Sequence, residues 1–365
     1  MATSGCGGNT DRGIRIKSGS ERIRATYIYF TKVSMNMKKF LTVILMFGII
    51  SGISSGEEIS EWNINERVHP QLKQYIMDKS ERVITLETLP ELRKALTLSP
   101  ESLPKNERVD VHDEFIGDGL RVRVYRPKKE MEEYPALLWI HGGGHIMGTP
   151  EGETALSLRI ADELCCIVVA PDYRLTPEHP YPADLEDCYN ALVWMTENLP
   201  VRKDKIAVAG QSAGGGLTAA LALMARDKKY PAICFQMPLY PMLDYRNITP
   251  SSYQIRDHRA WCRDFNIDSW KWYLRDVSND VPAYASPALA KDLSGLPPAY
   301  ILVCGLDPFR DEDIDYAQRL MQAGVPVELH VIPGATHGFE AIFPDSELSI
   351  KAVNEYVNAL AEALR

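Results

Sequence analysis

Gly210-Gln211-Ser212-Ala213-Gly214 separates an apolar run, Lys205-Ile206-Ala207-Val208-Ala209, from a stretch of small and helix-forming residues over 213–226. A serine with glycine at both second neighbours, set between a strand and a helix, predicts a nucleophile elbow. The turn is too tight for a side chain at Gly210 or Gly214, so the Ser212 hydroxyl is lifted clear of the strand end. The amide of Ala213 then lies in the first helical turn, where an N–H unused by the helix can meet a developing oxyanion. A Gly/Ser turn is also ordinary helix-capping chemistry, so the motif needs support from elsewhere in the chain.

A serine nucleophile needs a base, and the base needs an orienting carboxylate. Two apolar runs near the C-terminus end in loops that supply them. Residues 300–304 lead into Gly305-Leu306-Asp307-Pro308, and residues 327–332 lead into Pro333-Gly334-Ala335-Thr336-His337-Gly338. Both loops follow predicted parallel strands at their carboxyl ends, where open α/β sheets place their ligands. Asp307 precedes a helix-opening proline and reads as a loop carboxylate, whereas Asp311 reads as the cap of the next helix. Of the eight histidines, only His337 stands in a glycine-flanked loop after the last strand. His330 lies within an alternating strand and reads as a surface residue, and His69, His112 and His258 have no evident partner.

A fourth element is His141-Gly142-Gly143-Gly144-His145, directly after the run 135–140. Glycines let backbone amides approach a ligand closely, so Gly142, Gly143 and Gly144 with Ala213 are candidate oxyanion donors. A phosphate cradle is the alternative, but neither the G-x-x-x-x-G-K-[ST] lysine nor the G-x-G-x-x-G spacing is present. His141 reads as a brace for the loop. His145 either lines the pocket or is solvated.

Around these loops, strand-like runs at 109–116, 120–125, 135–140, 165–169, 205–209, 233–237, 300–304 and 327–332 alternate with helical patterns at 153–164, 185–199, 213–226 and 311–323 and after 346. Most strands are continuously apolar, as strands covered on both faces are. The pattern predicts an α/β fold: a mostly parallel eight-stranded sheet with helices on both faces, opened by an antiparallel hairpin. Two stretches break the alternation. Residues 57–105 read as short helices, and 244–284 are rich in aromatics, with Asp268 placed to cap a helix carrying Trp270, Tyr273 and Leu274 on one face. Together they predict a helical cap over the strand ends, leaving 106–243 and 285–365 as the α/β body.

The net charge of −9 is uneven, +6 over residues 1–56 and −15 over the rest. So acidic a body argues against nucleic acid as a partner. Lys38-Lys39, the apolar run 40–53 and Ser54-Ser55-Gly56 form a signal-peptide pattern over 37–56, and the run is short of the ~20 residues a span requires. The expectation is a secreted or periplasmic protein with no stable membrane span once the signal is removed, Met37 as the true start, and 1–36 as an upstream leader. Seven cysteines show no metal spacing, and those at 165, 166, 234 and 304 lie in apolar runs expected in the core.

Taken together, His141-Gly-Gly-Gly144, Gly210-Gln-Ser-Ala-Gly-Gly215, Asp307-Pro-Phe-Arg-Asp-Glu312, His337-Gly-Phe339, the Tyr173–Ala183 stretch Y-R-L-T-P-E-H-P-Y-P-A and Leu239-Tyr-Pro-Met-Leu-Asp244 resemble the hormone-sensitive-lipase-like branch of α/β-hydrolase carboxylesterases. The resemblance runs from about Val109 to the C-terminus. It implies Ser212 as nucleophile, His337 as base, Asp307 as its partner, and oxyanion donors at Gly143, Gly144 and Ala213. It further implies hydrolysis of short- to medium-chain acyl or aryl esters under a helical cap, with no metal or organic cofactor. An arylformamidase-type amidase would share this apparatus, and a non-catalytic small-molecule receptor would share the fold. Two positions depart from the family pattern: Gln211 stands where an acidic residue or threonine is usual, and His145 where an aromatic is usual. In the 173–183 stretch, Arg174 and Glu178 are expected to pair and prop the glycine loop. A homodimer through the exposed last strand is a further possibility.

Overall fold

Residues whose side chains are apolar on both faces of a strand can only be satisfied between two helical layers, and the chain folds accordingly. A computed structural model describes residues 59–278 and 280–365; the leader and the signal peptide expected over 1–56 lie outside the described residues. Eight strands form one sheet: β1 Val109–Ile116, β2 Leu120–Pro127, β3 Tyr134–Ile140, β4 Ile167–Pro171, β5 Val201–Gln211, β6 Phe235–Leu239, β7 Ala299–Leu306 and β8 Val327–Thr336. Their spatial order is β1-β2-β4-β3-β5-β6-β7-β8. β1 and β2 pair antiparallel, as do β2 and β4, and every later pairing is parallel.

Eleven helices are described: α1 Ile64–Arg67, α2 Pro70–Asp78, α3 Leu89–Leu96, α4 Thr154–Leu164, α5 Ala183–Asn198, α6 Ala213–Lys228, α7 Pro250–Gln254, α8 Arg263–Tyr273, α9 Arg310–Gln322, α10 Phe339–Ile342 and α11 Glu347–Leu364. One face of the sheet buries Leu137, Trp139 and Val168 with Leu158 of α4 and Tyr356 and Leu360 of α11. The other buries Leu138, Ile140 and Val208 with Leu192 of α5 and Leu217 and Leu221 of α6. Cys166 and Cys304 are buried, as their apolar contexts predict, whereas Cys165 and Cys234 are only partly covered. Cys165 ends α4 in the left-handed region at φ 50°, so β4 starts two residues later than the apolar run predicts.

The two stretches that break the alternation pack on one another. Ile84 and Leu89 from the N-terminal part join Trp261, Phe265, Trp270 and Tyr273 from the aromatic part, and both meet Ile146, Ala213 and Phe309 from the loops after β3, β5 and β7. Within this layer α8 begins at Arg263 rather than near Asp268, because residues 263–267 continue the same turn from Cys262. Asp268 is therefore a mid-helix residue and not a cap.

Ion pairing here differs from expectation. Arg174 does not engage Glu178. Its backbone N–H and Nε both donate to Asp187 Oδ2 at 2.9 Å, because α5 turns that carboxylate back onto the loop. Glu178 is taken instead by Arg93 of α3, in a two-pronged pair at 2.8 and 2.9 Å. Arg93 also donates to the carbonyls of Ile146 at 2.7 Å and Thr176 at 2.8 Å. It thus ties α3 to the glycine loop. The Arg93→Ala variant is expected to lose about 2–3 kcal/mol of unfolding free energy, mostly from the two carbonyls left unpaired. Arg93→Lys should recover less than half, since an ammonium cannot match the fork. Urea unfolding of the two variants checks both values.

Candidate active site

The strand order sets the site. β5 lies between β3 and β6, with Ile140 opposite Gly210 and Gln211 opposite Leu239, so the loops leaving β3 and β5 are neighbours. Ser212 then takes φ 59° and ψ −122°, a conformation that non-glycine residues rarely hold. The backbone around it is crowded. A Cβ on Gly210 would stand 2.4 Å from the Gly214 carbonyl oxygen, and one on Gly214 would stand 2.1 Å from that of Ile140. The turn is held by the Ser212 N–H donating to Leu239 O at 2.9 Å and by Ser212 O accepting from Met242 N at 3.0 Å.

β7 and β8 carry the other two side chains to the same rim. Ser212 Oγ lies 2.8 Å from His337 Nε2, and His337 Nδ1 lies 2.6 Å from Asp307 Oδ2. Asp307 is fully buried, and its other oxygen accepts from Phe309 N at 3.0 Å, which fixes the carboxylate. The imidazole packs against Tyr240, Phe309 and Trp261, with ring centroids 5.0, 5.2 and 6.1 Å away. Asp311 does not cap α9. Phe309 occupies that position, and Asp311 accepts instead from Ser251 N at 2.7 Å.

Gly143 and Gly144 take φ 119° and 61°, and a Cβ at Gly142 would lie 3.3 Å from Ser212 Cβ. The triplet therefore runs against the serine, and Ala213, first residue of α6, has its amide in the turn that begins there. His141 braces this loop: its ring stacks on Tyr173 at 4.1 Å, and Tyr173 Oη donates to His141 O at 2.9 Å. Burial drives its basicity down to about 4, so the ring is neutral. His145 takes neither of the two places expected of it. It is buried, 2.7 Å from Asp184 Oδ2 and stacked on Tyr273 at 4.0 Å, and so anchors the glycine loop between α5 and α8. Asp184 carries no sequence signal beyond its place at the start of a helix.

Gln211 joins a buried chain that no motif marks. Its Nε2 donates to Glu153 Oε1 at 2.6 Å and its Oε1 accepts from Tyr240 Oη at 2.9 Å; Tyr240 Oη also meets Glu340 Oε1. Trp139 Nε1 donates to the other Glu153 oxygen at 3.1 Å. A phenol has one hydrogen and here faces two acceptors. With that hydrogen on Gln211, the contact with Glu340 requires the carboxyl of Glu340 to hold its own proton. Burial raises Glu340 above the usual carboxylate range and lifts Glu153 to about 7.

Ser212, His337 and the glycines line one cavity of about 310 Å³ with Met147, Trp261 and Ile342. A larger cleft of about 770 Å³ runs between the β1–β2 turn and α5 and holds none of these residues. Among the described residues, His258, Cys262 and Asp264 bring ligand-type atoms within 4.8 Å of one another. Asp264 there is already bonded to Arg256 and His258, each at 3.0 Å, and burial pushes the Cys262 thiol up to about 11. The trio is a packing cluster.

Residues 137–341 match a protein family described as having the alpha/beta hydrolase fold. The chain is 35% identical to the esterase LipI of Mycobacterium tuberculosis over 267 residues, covering 72% of this chain and 83% of that one. It is also 35% identical to an arylesterase of Saccharolobus solfataricus over 254 residues, covering 68% and 80%. Among solved structures, a bacterial heroin esterase superposes with a TM-score of 0.78 at 36% identity, covering 83% of this chain and all of that one.

The buried chain through Gln211 has a pH signature. Because Glu340 binds its proton more tightly folded than unfolded, it lowers stability progressively as pH rises above its unfolded value near 4.5. Glu340→Gln mimics the protonated acid at every pH. Its stability relative to the parent is expected to increase between pH 5 and pH 8, read from urea midpoints at both. A gap independent of pH would mean that the folded carboxyl is already ionised at pH 5.

Proposed function

The chain belongs to the hormone-sensitive-lipase-like family of α/β-hydrolase carboxylesterases, and from that premise we propose that it hydrolyses short- to medium-chain acyl or aryl esters through Ser212, His337 and Asp307. Carboxylic ester hydrolysis is the activity; the proposal concerns the groups that perform it and the esters they take. The observation that carries the proposal is the continuous hydrogen-bond chain at 2.8 and 2.6 Å from the serine hydroxyl through the imidazole to a buried carboxylate.

In this reading His337 Nε2 takes the Ser212 proton as the oxygen attacks the ester carbonyl. Negative charge develops on the carbonyl oxygen, where the amides of the glycine triplet, Gly142 to Gly144, and of Ala213 donate to it. Collapse breaks the ester bond, and the alcohol leaves with the proton from His337. Water then enters, loses a proton to the same imidazole and releases the acid from the acyl-enzyme. Asp307 holds the ring with Nε2 toward Ser212 and stabilises its positive form. The described residues of 59–105 and 244–284 serve as a cap that narrows the pocket with Leu96 and Trp261.

Ser212→Ala is expected to lower kcat for p-nitrophenyl butyrate by on the order of 10⁵–10⁶, and Asp307→Asn by about 10⁴, with the circular dichroism of both unchanged. Turnover retained by the serine variant rules the assignment out. The segment 37–56 is proposed to direct export, giving a secreted or periplasmic enzyme. N-terminal sequencing of natively produced protein should find a start beyond residue 56, and a mature chain beginning at Ala2 excludes it.

A further inference from the structure

The cavity that holds Ser212 has one feature that hydrolysis of a neutral ester does not use. Its wall is largely apolar, with Leu96, Met147, Trp261, Ala341 and Ile342, yet Arg82 also lines it. Arg82 is half-buried, and its Nε is shut off from solvent without a hydrogen-bond partner. Its backbone N–H is used, donating to His258 O at 3.1 Å. Its guanidinium, however, has no carboxylate partner among the described residues. The groups around it are Phe265, with ring centroid 5.8 Å from the guanidinium carbon, Tyr75, Cys262 and Lys79. Asp264, the carboxylate beside Cys262, is occupied by Arg256 and His258.

Lys79 worsens the imbalance. It is itself half-buried, its ammonium lies over the Tyr75 ring at 4.7 Å, and burial together with the Arg82 charge pulls it down to about 8. The cation on the pocket wall, Arg82, thus has a second cation rather than a carboxylate for a charged neighbour, in a chain with 49 acidic side chains and a net charge of −9. Burying a charge without a partner is costly, and a contact with one ring at that distance offsets little of the cost. A fixed, unneutralised charge in a concave apolar pocket is the usual signature of a group that waits for a ligand.

The spacing suits a substrate. From the His337 ring to Trp261 is 6.1 Å, from Trp261 to Phe265 is 6.1 Å, and from Phe265 to the Arg82 guanidinium is 5.8 Å. Of these groups His337, Trp261 and Arg82 line the cavity together with Ser212, and Phe265 packs behind them, so a chain of several carbons against the Trp261 side of the wall joins the reacting carbonyl to the cation. Resting on Ser212 as the nucleophile, we propose that Arg82 makes this a pocket for esters carrying a carboxylate remote from the scissile bond, the guanidinium holding the carboxylate while the ester carbonyl faces Ser212. Arginine suits the task because its fork matches a carboxylate bidentately.

Two pairs of esters test it. Mono-p-nitrophenyl adipate is compared with p-nitrophenyl 6-methylheptanoate, whose branched end has the carboxylate's shape without its charge. 4-Acetoxybenzoate is compared with 4-isopropylphenyl acetate, which places the charge on the alcohol side instead. The readout is the ratio of kcat/KM within each pair, in which any general loss of activity cancels. The parent is expected to prefer the anionic member of one pair, and that preference should fall about 10- to 100-fold in Arg82→Gln and be partly kept in Arg82→Lys. A parent that disfavours the anionic member in both pairs, or a ratio unchanged in the glutamine variant, overturns the proposal. If no ester is turned over, the role of Ser212 fails, and calorimetric binding of benzoate and adipate then decides the Arg82 site. Binding weakened at least tenfold in Arg82→Gln supports it, and binding equal in both proteins or absent from the parent overturns it.

Discussion

The arrangement around Ser212 depends on how closely three backbone segments approach one another. The turn at Gly210 to Gly214 leaves no room for side chains at its ends, because Ile140 and His141 of the neighbouring loop occupy that space with their carbonyls. The same contact forces the glycine triplet against the serine. It also holds Ser212 in the left-handed region, a strain the surrounding sheet sustains through the bonds to Leu239 and Met242. Without this approach the hydroxyl, the imidazole and the loop amides would still exist, but they would not share one rim.

What surrounds the turn is organised to keep it there. Trp261 packs where a side chain on Gly144 would go, His145 is clamped by Asp184 and Tyr273, and Arg93 reaches in from α3 to hold the carbonyl of Ile146. Beneath the serine, Gln211 and Tyr240 link Glu153 to Glu340, and Glu340 lies three residues beyond His337. The loop bearing the hydroxyl and the loop bearing the imidazole are thereby joined by side chains as well as by the sheet. A neutral amide at 211 suits a position between two carboxyls that burial already disfavours as anions. An aspartate there would add a third.

Much of the site is legible in the chain itself, for reasons that are local. Gly-x-Ser-x-Gly, the glycine triplet and the loop positions of Asp307 and His337 are each set by backbone constraints spanning a few residues. The eight strands follow from apolar runs and their number holds, although β4 and β6 both begin two residues later than the runs predict. The residues that were illegible are those whose partners lie far along the chain. Glu178 finds Arg93 rather than Arg174, and Asp311 serves Ser251 rather than its own helix. His145 turns inward because Asp184 and Tyr273 are waiting there. Composition and spacing carry no trace of these choices, since each depends on which surfaces the sheet brings face to face.

The amino-acid order alone determined the class of fold and the three side chains of the proposed relay, because strand burial and tight turns are written in neighbouring residues. Only the tertiary structure decided that burial raises the Glu340 carboxyl above its ordinary range, that His145 is a brace, and that Arg82, with no carboxylate partner among the described residues, lines the same cavity as Ser212. Those properties arise from desolvation and from the presence or absence of a partner, and both exist only once distant segments have packed.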